Sequence, residues 1–437
     1  MRFHDEIPWI DPQALFAWAR RFGKVRTLLH SSACDERDGG YSWLACDPVA
    51  CVSSLREFAE GAFLSRHADN VAANNWFGYV GYEALTLVEP SVPTRKRAFI
   101  RAPDLWLCRF RRVYIFDALK KTVSLWTEKD ARPPYFPSFS MGTPDFPPIP
   151  RLKEFRTLMP RVAYLRRVET ILEHIRAGDI FQANLTRKHV GAFASAPNPN
   201  AVYARLASAA PGQYAAHLAT PFAHILSSSP ECFMRVDSQG RMRASPIKGT
   251  APRSRGREQD LANKKALEES EKDRAENVMI VDLYRNDLSR SCVPGSVQVP
   301  ELCAVRSYPS VHHMTSTVTG QKRSDVSTLQ AVMAAFPPGS MTGAPKHRAM
   351  NVCLANESWR RGVYSGIIGR FGGDGAADFS VVIRTLILRG KFMECQTGGG
   401  IVADSDPLYE LRETAIKLRG IATALGEEKR MERALLK

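Results

Sequence analysis

The period of the apolar positions changes along the chain, and each change marks an element. Tyr41-Ser42-Trp43-Leu44-Ala45-Cys46 reads as a strand running into an Asp47-Pro48 turn. Leu105 to Cys108, Val113 to Phe116 and Thr122 to Trp126 predict three more strands. Trp76 to Tyr82 mixes aromatic residues with glycine, as a buried strand or turn does. Further on, Val162, Leu165, Val168, Ile171, Leu172 and Ile175 recur at helical spacing, and Gly178 supplies the stop. A strand follows over Phe181 to Thr186. A single long polar helix is predicted over 257–288, its second half buried through Val278, Met279, Ile280, Val281 and Leu283. Val363 to Phe371 and Phe379 to Leu388 read as two strands joined by a turn at Gly372-Gly373-Asp374-Gly375. Pro407, just after Asp406, opens a final helix.

Region 131–150 is dense in proline and favours extended, solvated backbone. It divides the chain into an N-terminal subdomain, 1–150, ending in this linker, and a larger region, 151–437. No internal repeat is found.

Charge and composition narrow the classes. The chain has 437 residues and a net charge of +15. Its basic residues come in short separate groups, such as Arg95-Lys96-Arg97, and no nucleic-acid-binding motif accompanies them, so nucleic acid is not the expected partner. An anionic metabolite suits the charge better. No apolar run reaches the roughly 18 residues of a membrane span, and Met1 to Glu6 lacks the apolar core of a signal peptide, so a cytoplasmic location is expected. Nine cysteines, none in a Cys-x-x-Cys pair, are expected to be reduced thiols.

Lys248 is the first candidate for chemistry. In Ser245-Pro246-Ile247-Lys248-Gly249-Thr250 a proline fixes the backbone on one side of it, and a glycine allows close approach of a ligand on the other. Asp273 and Glu276 stand three apart on one predicted helix, and Glu410 and Glu413 repeat the spacing on another. Such pairs are either solvated helix faces or, brought together, a set suited to Mg²⁺. Gly398-Gly399-Gly400 is either a turn or a run of N–H donors for an anion. Gly339 to Lys346 fails the P-loop pattern, because Pro345 removes an N–H and no Gly-Lys-Ser/Thr closes it. Arg384, inside an apolar strand pattern, is either a structural ion-pair partner or a carboxylate clamp. Of His312 and His313, one could be a general acid.

Together and in this order, these motifs resemble the chorismate-utilising enzymes. The marks are Gly178 to Leu185, Ser229-Pro230-Glu231, Pro246 to Thr250, Glu276 to Asp287, Gly339 to Lys346, Tyr364-Ser365-Gly366, Ile383-Arg384-Thr385 and Gly398 to Asp404, with Glu410, Glu413 and Lys417. They cover 160–425; the N-terminal part matches more loosely. Pro-Ile-Lys-Gly-Thr resembles the aminodeoxychorismate synthase component I branch, whereas anthranilate synthase component I has alanine in place of the lysine. Isochorismate and salicylate synthases carry a water-activating lysine where this chain has Gln182. Cys232 stands where close relatives have arginine.

The resemblance implies an α+β chain with the anthranilate synthase component I fold: two large antiparallel sheets in a sandwich, helices outside. It implies amination of chorismate to 4-amino-4-deoxychorismate, for 4-aminobenzoate and folate synthesis, through a covalent adduct on Lys248; the alternative is anthranilate synthase component I. Mg²⁺ would be held by Glu276 and Glu413, with Asp273 and Glu410 close behind through water. Gly399, Gly400 and Lys417 would serve the ring carboxylate, Tyr364 and Arg384 the enolpyruvyl carboxylate, and Gly249, Thr250 and Ser340 the ring. Glu231 and His313 are both candidates for the general acid. Ammonia would come from a glutamine amidotransferase subunit.

Overall fold

The computed structural model describes residues 2–7, 9–33, 40–65, 75–128, 145–308 and 311–436. Most of the proline-rich linker lies outside them. A twenty-stranded sheet runs through the described residues, and every pairing in it is antiparallel. Strand Leu105–Asp117 is the branch point. Along one edge it pairs with Tyr41–Val52; its other edge is shared by Trp76–Val80 and Thr122–Thr127.

From Tyr41–Val52 one branch continues through Arg26–His30, Tyr214–Ala219, His224–Ser229, Thr385–Arg389 and Phe392–Ile401 to Gln182–Phe193. From Trp76–Val80 the other runs through Ile367–Phe371, Ala377–Val381, Cys232–Val236, Arg241–Ser245 and Val311–Gln321 to Ile247–Pro252. Phe77, Trp106, Leu218, Ile225, Ile368 and Ile387, drawn from both branches, pack in one buried cluster, so the branches face each other. On the outer face of the first lie helices Pro12–Trp18, Pro199–Ala209 and Pro407–Leu425. On that of the second lies helix Glu271–Ser289. The expected sandwich with outer helices is present, its two layers continuous through a shared strand. Strands from both sides of the linker interleave, since Arg26–His30 pairs with Tyr214–Ala219 and Trp76–Val80 with Ile367–Phe371.

Four local expectations are corrected. The strand from Tyr41 does not turn at Asp47-Pro48: it runs to Val52, with Asp47 at φ 65° beside a bulge. Leu105 to Cys108 and Val113 to Phe116 belong to one strand. The long helix is two, Arg257–Glu269 and Glu271–Ser289, because Ser270 leaves helical geometry and caps the second, accepting the Asp273 N–H. In that second helix the buried stripe is Asn277, Ile280, Val281, Tyr284, Asp287 and Leu288, while Val278 faces out. Arg384, read as mid-strand, stands at φ 49° in the break between Ala377–Val381 and Thr385–Arg389.

Among the described residues the cysteines depart once from the expected reduced state. Cys51 and Cys108 face each other in register on adjacent strands and form a disulfide. Cys46, Cys292, Cys303, Cys353 and Cys395 are buried thiols. No helix among the described residues is long and apolar enough to cross a membrane.

Candidate active site

The site is built where the end of strand Phe392–Ile401 passes under two helices. The glycine run is not a turn: Gly398, Gly399 and Gly400 pair with Thr186, Leu185 and Asn184. What the missing side chains provide is room. A Cβ on Gly399 would lie 2.8 Å from Glu410 Oε2 and 3.2 Å from Glu413 Oε2. One on Gly400 would lie 2.6 Å from Gln182 Nε2 and 3.4 Å from Lys248 Nζ. Only glycine leaves space there for two carboxylates, an amide and an amine to converge on the strand.

Lys248 reaches this place from strand Ile247–Pro252, its Nζ 3.8 Å from Glu276 Oε2 and its side chain 14% exposed. The next residue, Gly249, adopts φ +79°, and a Cβ on it would collide with Leu267 and Asp273 at about the 3 Å limit of contact. The lysine strand is thereby seated on the two helices that flank Ser270. Thr250 Oγ1 lies 2.9 Å from His313 Nδ1.

The four carboxylates stand as two pairs, each with a lysine. Glu276 approaches Lys248, with Asp273 against the neighbouring Gly249; Glu413 bonds Lys417 at 2.9 Å, and Lys417 also donates to the Gly398 carbonyl. Among the described residues no three acidic, histidine or cysteine side chains close on a single metal-sized point. Even so, Glu410 Oε2 is buried without a hydrogen-bond partner among them, and Glu413 is its neighbour over Gly399. An orphaned anionic oxygen beside a second carboxylate fits a hard divalent cation. Burial and the Glu413 charge push Glu410 up to about 7. Burial also works against ionised Glu413, but Lys417 outweighs it and holds that carboxyl below its ordinary value.

Behind Lys248 lies Glu231, buried at the start of strand Cys232–Val236. Burial raises it to about 7, against the pull of Ser340, Lys248, Arg384 and Lys417. His313 moves the other way: burial, then the Arg384 charge, lowers it to about 3. Arg384 is lowered by burial and raised by Glu231, its opposing charge. The structure thus brings Lys248, Gly249, Glu231, Glu276, Asp273, Glu410, Glu413, Gly399, Gly400 and Lys417 together, with Thr250, His313, Ser340 and Arg384 adjoining. Tyr364, buried after Val363, has its phenol pushed up by burial and lies near Tyr164 of helix Arg161–Arg176.

Residues 34–423 match the family model of the chorismate binding enzymes. The chain belongs to that family. Aminodeoxychorismate synthase of Streptomyces pristinaespiralis is 45% identical over 62% of this chain and 37% of its own length. The chain therefore spans only about a third of the length of such relatives. Aminodeoxychorismate synthase component 1 of Klebsiella aerogenes is 36% identical over 79% of this chain and 75% of its own. Anthranilate synthase component 1 of Acinetobacter calcoaceticus is 34% identical over 80% and 73%. Among solved structures, anthranilate synthase component I from Streptococcus pneumoniae superposes with a TM-score of 0.72 at 26% identity, covering 96% of this chain and 92% of that one. The isochorismate synthase MenF from Escherichia coli shares the fold, with a TM-score of 0.77 at 17% identity over 97% and 94% of the two chains.

In this chorismate binding enzyme two site residues escape a reading by motif. Tyr164 and Tyr284 are fully buried, and their hydroxyls have no hydrogen-bond partner among the described residues. Tyr164 stands 3.9 Å from the place of a Gly399 Cβ, with the Arg187 guanidinium over its ring. Both tyrosines sit on the apolar stripes of helices, where sequence pattern makes them look like core. Gln182, singled out only as a contrast with other branches, is buried with neither amide atom bonded among the described residues.

Proposed function

We propose that this chain aminates chorismate at C4, as the large component of an aminodeoxychorismate synthase. The observation that carries the reading is the amine of Lys248, held beside Glu276 and over Gly400 at the centre of the convergent site. Gly399, Gly400 and Lys417 receive the ring carboxylate, Tyr364 and Arg384 the enolpyruvyl carboxylate, and Gly249, Thr250 and Ser340 the ring. Glu276 and Glu413 would hold Mg²⁺, with Asp273 and Glu410 close by in support. Bound there, such an ion would supply positive charge to the ring carboxylate and to the charge that shifts toward it.

The neutral Lys248 Nζ forms a bond to C2 as both conjugated ring double bonds shift and the C4–O bond breaks. The departing hydroxyl takes a proton and leaves as water. Glu231 is the better donor, because a carboxyl raised to about 7 still carries a proton near neutrality, while His313, lowered to about 3, stays neutral imidazole. Ammonia then bonds at C4, both double bonds shift back, and the C2–N bond breaks to release the Lys248 amine. A glutamine amidotransferase partner supplies the ammonia; the curated relatives extending well beyond the matched region support a larger assembly.

The test is to incubate the chain with chorismate, Mg²⁺ and ammonium at high pH and identify the product by mass, with and without an added lyase. Aminodeoxychorismate, giving 4-aminobenzoate only with the lyase, is the expected result. Anthranilate and pyruvate would transfer the chain to the anthranilate synthase reading, and no consumption of chorismate would sink both.

A further inference from the structure

Beside Glu231 lie two buried hydroxyls, those of Tyr284 and Ser340, to which the reaction above gives no part in the proton transfer. Tyr284 Oη, Ser340 Oγ and Glu231 Oε1 are buried, and none has a hydrogen-bond partner among the described residues. A buried polar atom without a partner is costly, so two hydroxyls and a carboxyl oxygen together call for an explanation. The two elements that carry the hydroxyls touch. Ser340 is the middle residue of the tight turn Gly339–Met341, and a Cβ on Gly339 would lie 2.5 Å from Leu283 Cδ2, next to Tyr284 on the helix. The Ser340 hydroxyl acts on both neighbours, drawing the burial-raised pKa values of Glu231 and of Tyr284 back down.

We propose that Tyr284 is a positioning residue that acts through Ser340 on Glu231, the three closing into one directed hydrogen-bonded chain. Tyr284 O–H donates to Ser340 Oγ, and Ser340 O–H donates to Glu231 Oε1. With Oε1 committed as an acceptor, the proton of neutral Glu231 resides on Oε2, directed at the leaving hydroxyl. When that proton departs with the hydroxyl as water, the new carboxylate already has its donor in place. The other groups acting on this carboxyl are Lys248, Arg384 and Lys417, all positive; Asp287 and Cys232 act on Tyr284. The set rests on the reading of Glu231 as the proton donor, but its hydrogen bonding is testable without turnover.

Infrared difference spectra across pH separate the protonated from the ionised carboxyl, and the Glu231 band is the one lost in Glu231→Gln. Removing a donor to a carboxylate raises its pKa. Tyr284→Phe and Ser340→Ala should therefore each move the Glu231 titration to higher pH, by about one pH unit. Adding Tyr284→Phe to Ser340→Ala should move it no further, since Tyr284 acts through Ser340. In turnover, Tyr284→Phe should lower kcat and shift the same limb of the pH profile while KM holds. An unmoved or downward titration in the single variants overturns the proposal, as does full additivity in the double variant. If Tyr284→Phe fails to fold by circular dichroism, Ser340→Ala alone decides. Loss of chorismate turnover in the wild type would overturn the functional reading, while the infrared titration would still decide the chain.

Discussion

At the scale of single residues, the site depends on what is absent as much as on what is present. Gly400 has ordinary backbone geometry, so alanine is conformationally allowed there; its methyl would stand 2.6 Å from Gln182 Nε2 and 3.4 Å from Lys248 Nζ. Both atoms end flexible side chains, so the fold should survive while the amine is displaced. Gly400→Ala should cut kcat about a hundredfold, the scale of an ångström's misplacement, with Tm nearly unchanged. A variant of wild-type kcat would show that Lys248 does not need this space. Lys248→Ala tests the residue itself: the covalent adduct seen by intact mass with chorismate should vanish, and an undiminished adduct would refute its role as nucleophile. Lys248, the glycines and the spaced carboxylates were legible in the sequence because each is a local pattern of unusual residues. Tyr164 and Tyr284 were not, since a tyrosine on an apolar stripe looks the same whether its hydroxyl meets solvent, core or a catalytic carboxyl. The opposed settings of Glu231 and His313 were also hidden, because burial and the reach of Arg384 are set by distant elements.

Elements fix where those residues point. Ser270 is the hinge residue between Arg257–Glu269 and Glu271–Ser289, and its Oγ both accepts the Asp273 N–H at 3.3 Å and donates to Asp273 Oδ2 at 2.6 Å. That cap holds Asp273 against Gly249 and so seats the Lys248 strand. Ser270→Ala should cost about 1 kcal/mol of stability, the ordinary worth of an N-cap, and Ser270→Gly less. Because the same side chain fixes Asp273, the alanine variant should also weaken Mg²⁺ binding, read by calorimetry on the protein without substrate. Equal stability of Ser270→Ala and wild type in denaturant titration would contradict this account. The break at Ser270 was missed because polar periodicity runs unbroken from 257 to 288, and one serine inside it carries no signal until its φ and ψ are known. By contrast, helices Arg161–Arg176 and Pro407–Leu425 were legible through the apolar spacing of the one and the Asp-Pro start of the other.

For the whole molecule, the antiparallel α+β class came with the family resemblance and only some of the twenty strands with the alternating patterns; partners in the sheet came with neither. Leu105–Asp117 reads as two short strands because Arg109, Arg111 and Arg112 interrupt its apolar run, and their countercharges come from elsewhere: Asp47 from Tyr41–Val52 and Glu128 from just past Thr122–Thr127. The same non-local pairing ties the two sides of the linker into one sheet. A fragment beginning at residue 151 would leave Tyr214–Ala219 without Arg26–His30 and Ile367–Phe371 without Trp76–Val80. Each loss bares a hydrogen-bonding edge in the middle of a sheet and opens the buried cluster that Phe77, Trp106 and Phe110 share with Leu218 and Ile225. The full chain should therefore unfold in one cooperative transition, and residues 151–437 expressed alone should show no cooperative transition by circular dichroism and should aggregate on warming. Co-expression with residues 1–150 should restore both the transition and chorismate turnover, because the missing strands carry no residue of the site and are needed only as pairing partners. A fragment 151–437 that unfolds cooperatively near the melting temperature of the whole chain would show that the two sides of the linker are separate folding units after all.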